Sequence, residues 1–355
     1  MGRQTSRIYF NGKDHKEIYV NKNYHNSANK NTNVLWEKIL EPEVYEGFKF
    51  TSVIKSYSYQ SALFKAKGNF LIDWGDGSTN TYNLSSLENV THTYPYSSTK
   101  KTYTATLTGN LEDVSFQASN YIDSILTPLP PSLSSKNDFT NCFANIKTSN
   151  NTSGSFSIIS DLFKYCKNAT IFDYCFYNSN GLKVLPTNLF SNNSKANSFA
   201  SCFRGCGITE IPSGLFSRKT LVTSFAYCFY GINAKIPSDL FLGCSSVKTL
   251  SNCFYLNKSI TEIPDNLFDS MGNLEDISMC FYDCDKMTYV PFDLFNNCNE
   301  LNNATKCFWG CESITSKVPE LWNKETIVDS KGCYYNCSKA ENYNDIPYWT
   351  WVSDT

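Results

Sequence analysis

The sequence predicts a multidomain protein: a β-rich N-terminal segment, then a β domain, then an α/β repeat solenoid of about nine turns of about 26 residues each. Three observations predict it. A frame of eight cysteines recurs at near-constant spacing from Cys142 to Cys333. Residues 46–118 contain no cysteine and read as strands around turn-forming clusters. Residues 1–45 hold three short β-like runs, too little chain for a core of their own. The predicted domains are therefore 1–45, 46–118 and 119–355.

In the first segment the runs are Arg7–Phe10, Glu17–Val20 and Val34–Trp36, with Asn11-Gly12 as a hairpin turn. The start is basic, but no apolar stretch or small-residue cleavage site follows, so no export signal is expected. The order R-I-Y-F-N-G-K, I-Y-V-N, L-W-E-K resembles the leader of tail-associated proteins in phages and prophages of low-GC bacteria. That resemblance implies an attachment handle to other tail proteins and a homo-oligomer.

In the second domain, Phe70-Leu71-Ile72 runs into the turn Asp73-Trp74-Gly75-Asp76-Gly77-Ser78, and Tyr103–Gly109 alternates as a half-buried strand. Asp73 and Asp76 lack the spacing and terminal Glu of a calcium loop, so turn formation is their expected role. His92 is expected to bond to that turn or to the interior. I-D-W-G-D-G-S, H-T-Y and Y-T-A-T-L, in that order, resemble the polycystic-kidney-disease (PKD) type immunoglobulin-like β-sandwich. The family implies a spacer or adhesion module.

The repeats carry the most information. Cys142, Cys175, Cys202, Cys228, Cys253, Cys280, Cys307 and Cys333 are each followed by Phe, or by Tyr334 in the last copy. About ten residues on comes an aliphatic-Pro mark such as Ile211-Pro212, and then a Leu-Phe pair such as Leu215-Phe216. Counting each frame cysteine as position zero, apolar residues recur at −3, 0, +1 and +4. At about 100° per residue these fall on one helical face, so the spacing predicts a short helix with Cys and Phe inward. The aliphatic-Pro segment predicts a short strand, and Leu-Phe a second capped helical turn. The frame resembles the BspA-like leucine-rich repeats of bacterial and phage-encoded surface proteins, which implies a recognition surface rather than an activity.

Fifteen cysteines cannot all pair within one chain. Stacked buried thiols are the favoured reading. Disulfides and zinc are the alternatives, but there is no Cys-x-x-Cys knuckle, and all three histidines (His15, His25, His92) precede Cys142. Without an imidazole in the repeats, a catalytic cysteine has no base. No metal and no cofactor are expected. Asp239, Asp265 and Asp293 recur near the Pro-x-x-Leu-Phe mark as helix caps; a glycan or wall hydrolase built on them is the least favoured reading.

Position +2 is Tyr177, Arg204, Tyr230, Tyr255, Tyr282, Trp309 and Tyr335. On the helical reading it faces solvent and stacks into a stripe, the predicted ligand-binding surface. The alternative is that the rings merely stabilise the repeats. A net charge of −2 argues against a nucleic-acid partner, and no run reaches the ~18 apolar residues of a membrane span. The sequence thus predicts a non-enzymatic recognition protein of a phage or prophage tail tip or fibre. It would bind a host-surface glycan or protein and reside in the virion, released by lysis. A BspA-like adhesin of the bacterial cell surface is the alternative.

Overall fold

The computed structural model describes residues 6–10, 18–24, 33–39, 45–54, 58–119, 121–146 and 155–348. The chain divides into two compact units, Met1–Glu46 and Gly47–Thr355. The first contains three antiparallel strands in the order β1 (Ser6–Phe10), β2 (Ile18–Tyr24), β3 (Asn33–Ile39). The Asn11-Gly12 turn, His15 and His25 lie outside the described residues.

The second unit opens with β4 (Phe48–Ile54), β5 (Ser58–Asp73), β6 (Thr79–Ser97), β7 (Lys101–Ser115) and β8 (Ile122–Ile125). They form one antiparallel sheet in the order β6-β5-β7-β4-β8. This corrects the expected sandwich: among the described residues the unit has a single five-stranded sheet, with no second sheet packed on it. Alternate side chains of β5 (Ala62, Phe64, Ala66, Phe70, Ile72) are buried, as the two-residue period of a strand requires. The cover comes partly from the repeats. Phe116 packs against Phe50 and Phe64 (ring centroids 5.6 and 5.2 Å) and also stacks on Phe143 of the first repeat at 5.4 Å.

The repeats correct the fold class. The chain is mostly β and turn, not an α/β leucine-rich-repeat solenoid. Among the described residues the only helical pieces are three short 3₁₀ turns, Pro131–Ser135, Leu321–Asn323 and Tyr343–Asp345. The expected aliphatic-Pro strands are reduced to isolated bridges such as Val184↔Glu210, and the Leu-Phe segments are turns.

The backbone explains why no helix forms. In every frame coil, position −1 (Asn141 through Gly332) and position +3 (Asn145 through Asn336) have φ between 53° and 75°. A left-handed residue on each side of the Cys-Phe pair ends any right-handed helix there. Tight turns replace it, for example Cys253 N–H to Leu250 O at 2.9 Å. The remaining amides leave the coil. The +1 N–H of each coil from Phe143 to Phe308 donates to the frame-cysteine carbonyl of the next coil at 2.7–3.0 Å. The −3, 0, +1, +4 spacing still points inward, because two successive tight turns bring the same four positions to one side.

The interior is a set of aligned columns. Phe143, Phe176, Phe203, Phe229, Phe254, Phe281, Phe308 and Tyr334 are fully buried, and successive rings lie 5.3–5.8 Å apart at 5–13°. All fifteen cysteines are free and buried. They do more than fill space. Cys206, Cys284, Cys311 and Cys337 at position +4 donate Sγ–H to the +1 carbonyl of the preceding coil at 2.9–3.3 Å. Ser179 occupies the same position and does the same to Phe143 O at 2.7 Å. Asn193 and Lys219 serve a parallel column, donating to the Phe163 and Phe190 carbonyls.

Candidate functional site

Backbone bonds pin position +2 of each coil. The +3 N–H of one coil donates to the +2 carbonyl of the next, so that Gly205, Gly231 and Leu256 bond to Tyr230, Tyr255 and Tyr282 at 2.8–3.0 Å. The left-handed +3 residue turns its amide along the stack, and the side chain at +2 is carried onto the one below. All seven predicted site residues fall into one row. Tyr230–Tyr255 and Tyr255–Tyr282 lie 4.6 Å apart, Tyr282–Trp309 5.9 Å and Trp309–Tyr335 3.9 Å, all within 17° of parallel. Arg204 completes the row where a ring is missing, its guanidinium 4.5 Å from the Tyr230 centroid and 5.9 Å from that of Tyr177. A delocalised planar cation suits that place better than an ammonium.

The exposed stripe expected from the sequence is instead half-buried. The interior rings cover one another's faces, so only their edges and hydroxyls reach solvent. Burial first, and then the neighbouring Tyr282, Tyr230 and Asp283, push the Tyr255 hydroxyl up to about 12, and Tyr282 is raised for the same leading reason. The row therefore presents phenol hydroxyls, one indole edge at Trp309 and one cation at Arg204. Sequence reading missed Tyr227, whose ring lies 5.1 Å from Arg204, and Lys306, 5.0 Å over Trp309. Both sit at position −1, three residues before a ladder member; that recurring spacing was the available signal.

The other candidates have structural work. Asp73 accepts the Gly75 amide at 2.8 Å, and Asp76 accepts the Ser78 amide and hydroxyl at 3.0 and 2.6 Å. His92 Nε2 donates to Asp76 at 2.8 Å, and its ring stacks on Trp74 at 4.6 Å. Burial pushes the Asp76 carboxyl up, but the bonds from Ser78 and His92 outweigh it and hold the group below its usual value. Asp239 ties Ser213 and Gly214 of the preceding coil, and Asp265 accepts from Tyr289. Burial raises every thiol, Cys206 to about 12 and Cys244 to about 11, so the cysteines stay protonated rather than nucleophilic at neutral pH.

No protein-family model matches the chain, and no curated protein or solved structure resembles it at a significant level.

Proposed function

We propose that this chain is a non-catalytic recognition protein that holds an extended polymer or protein of a bacterial host surface along the ladder from Tyr177 to Tyr335. One observation carries the reading: seven consecutive coils hold a planar side chain in register, giving a row of polar edges, five of them tyrosine hydroxyls, with one cation at Arg204 on a rigid backing. Weak contacts repeated at the spacing of the coils suit a repetitive ligand, and several copies on one particle would multiply them. The resemblance of the N-terminal leader supports a place in a phage or prophage tail tip or fibre. There Met1–Glu46, a compact unit separate from the rest, would attach to other tail proteins.

The test uses substitutions that keep the stack. Tyr230→Phe, Tyr255→Phe and Tyr282→Phe together remove the hydroxyls and leave the rings. Labelled protein is applied to purified envelopes of the host bacterium. The reading expects at least about tenfold weaker retention by the triple variant, the loss of two or three modest hydrogen bonds; unchanged retention would refute it. Mass spectrometry of purified particles tests the virion assignment separately.

A further inference from the structure

The repeat is shortest at one coil. Pro237 follows Cys228 by nine residues, whereas Pro212 follows Cys202 by ten, and Pro264 and Pro291 follow their cysteines by eleven. The missing residues leave a gap in the wall. Parallel bridges join Val184 to Glu210 and Glu262 to Tyr289, but among the described residues the aliphatic-Pro segment between them, at Ile236-Pro237, contributes none. A concavity of about 690 Å³ opens there, within the range of small-ligand sites. Its floor is apolar, formed by Ile211, Ala234 and Ile236, each at most 7% exposed.

The rim is cationic. Lys235, Lys258 and Lys286 come from three successive coils, against one lining carboxylate, Glu210. Lys258 is fixed by the Asp283 carbonyl at 2.7 Å and by Asp285 at 3.1 Å. Lys235 and Lys286 are exposed and have no ion-pair partner among the described residues. The same three coils carry Tyr230, Tyr255 and Tyr282, and Arg204 lies on the coil before them. An apolar floor under polar and cationic walls suits a ligand with one hydrophobic face, hydroxyls and a negative charge. Ammonium groups act as point charges and need no planar carboxylate fork.

We infer that the notch formed by the short coil from Cys228 to Pro237 is a binding site for an acidic sugar unit, carboxylated or phosphorylated, held between Lys235 and Lys286. This deepens the recognition reading and rests on it for the source of the sugar, not for the chemistry of the site.

The experiment is a saturation-transfer NMR titration of the full chain with glucuronic acid, glucose 6-phosphate and glucose. At least one acidic sugar is expected to bind in the range of about 1–10 mM, with glucose weaker; the preferred acid tells carboxylate from phosphate. Lys235→Glu with Lys286→Glu should weaken that binding about tenfold, while Lys167→Glu on another coil leaves it unchanged. Failure of both acids to bind, equal binding of glucose, or an unaffected double variant would each overturn the inference. Envelope retention measured on the same proteins separates the two readings. Retention without any sugar binding in the notch leaves recognition standing and removes this site; sugar binding without retention does the reverse.

Discussion

Raising the pH is the sharpest perturbation this architecture offers. Fifteen thiols are buried, and burial raises every one above its ordinary value, Cys142, Cys166, Cys284 and Cys333 to about 12. A folded-state pKa raised above the unfolded one gives stability that is complete below the unfolded value and lost as pH climbs toward the folded value. The unfolded chain begins to release thiol protons near pH 8.5, while the folded chain holds them. Each thiol then costs about 0.4 kcal/mol of stability at pH 8.5 and about 1.4 kcal/mol at pH 9.5. Across fifteen thiols this is about 6 and about 20 kcal/mol, against a typical total of about 5–15 kcal/mol. The loss depends on the unfolded value alone so long as the folded one lies well above it. Under reducing conditions, the urea midpoint followed by circular dichroism should fall steeply from pH 7.5, with the repeats unfolding without denaturant by about pH 9.5. A midpoint that stays flat from pH 7 to 9.5 would show that the thiols are not the buried, protonated column described here.

Three further outcomes follow. Cys311→Ser should cost at most about 1 kcal/mol and Cys311→Ala about 1–2 kcal/mol, because the hydroxyl keeps the bond to Phe281 O as Ser179 does for Phe143 O; denaturant melts that rank Ser below Ala would make the thiol a mere apolar filler. Arg218 is exposed at φ 60°, so Arg218→Gly should stabilise by about 0.5 kcal/mol in the same melts, and a loss would contradict the strain assigned to left-handed positions. Asp76 has a lowered pKa, so its contribution is present above about pH 4, the unfolded carboxylate value, and is lost as pH falls through the lower folded value. Asp76→Asn should flatten the acid limb of stability against pH below 4; an unchanged acid limb would refute the Ser78–His92 clamp.

The inward residues of the repeats were legible because burial follows chemistry: Cys, Phe and Leu-Phe recur and are buried wherever they recur. The backbone carrying them was not legible from that pattern. Positions −3, 0, +1 and +4 satisfy a helical wheel and also satisfy two tight turns, and hydrophobic periodicity cannot separate the two. The deciding signal lay at positions that do not point inward. Asn145, Asn178, Gly205, Gly231, Gly310 and Asn336 occupy +3, and glycine and asparagine are the residues that tolerate a left-handed backbone. Likewise Asp73, Trp74, Asp76 and His92 gave the turn and its clamp, but not the number of sheets. The cover over Phe64 is supplied by Phe116 and the first repeat, from outside the motif.

In a stacked repeat, regular positions are spent on holding the coils together, and this limits what the aromatic row can do. Tyr255 and Tyr282 give both ring faces to their neighbours, so they cannot stack on a sugar as a free ring does and can offer a ligand only edges and hydroxyls. Free valence in such a wall arises where the repeat fails. Arg204 is such a place, a cation inserted among rings, and the coil from Cys228 to Pro237 is another, with the shortest run from frame cysteine to proline. The two lie on successive coils, Cys202 and Cys228, and Arg204 stacks on Tyr230 of the shortened one.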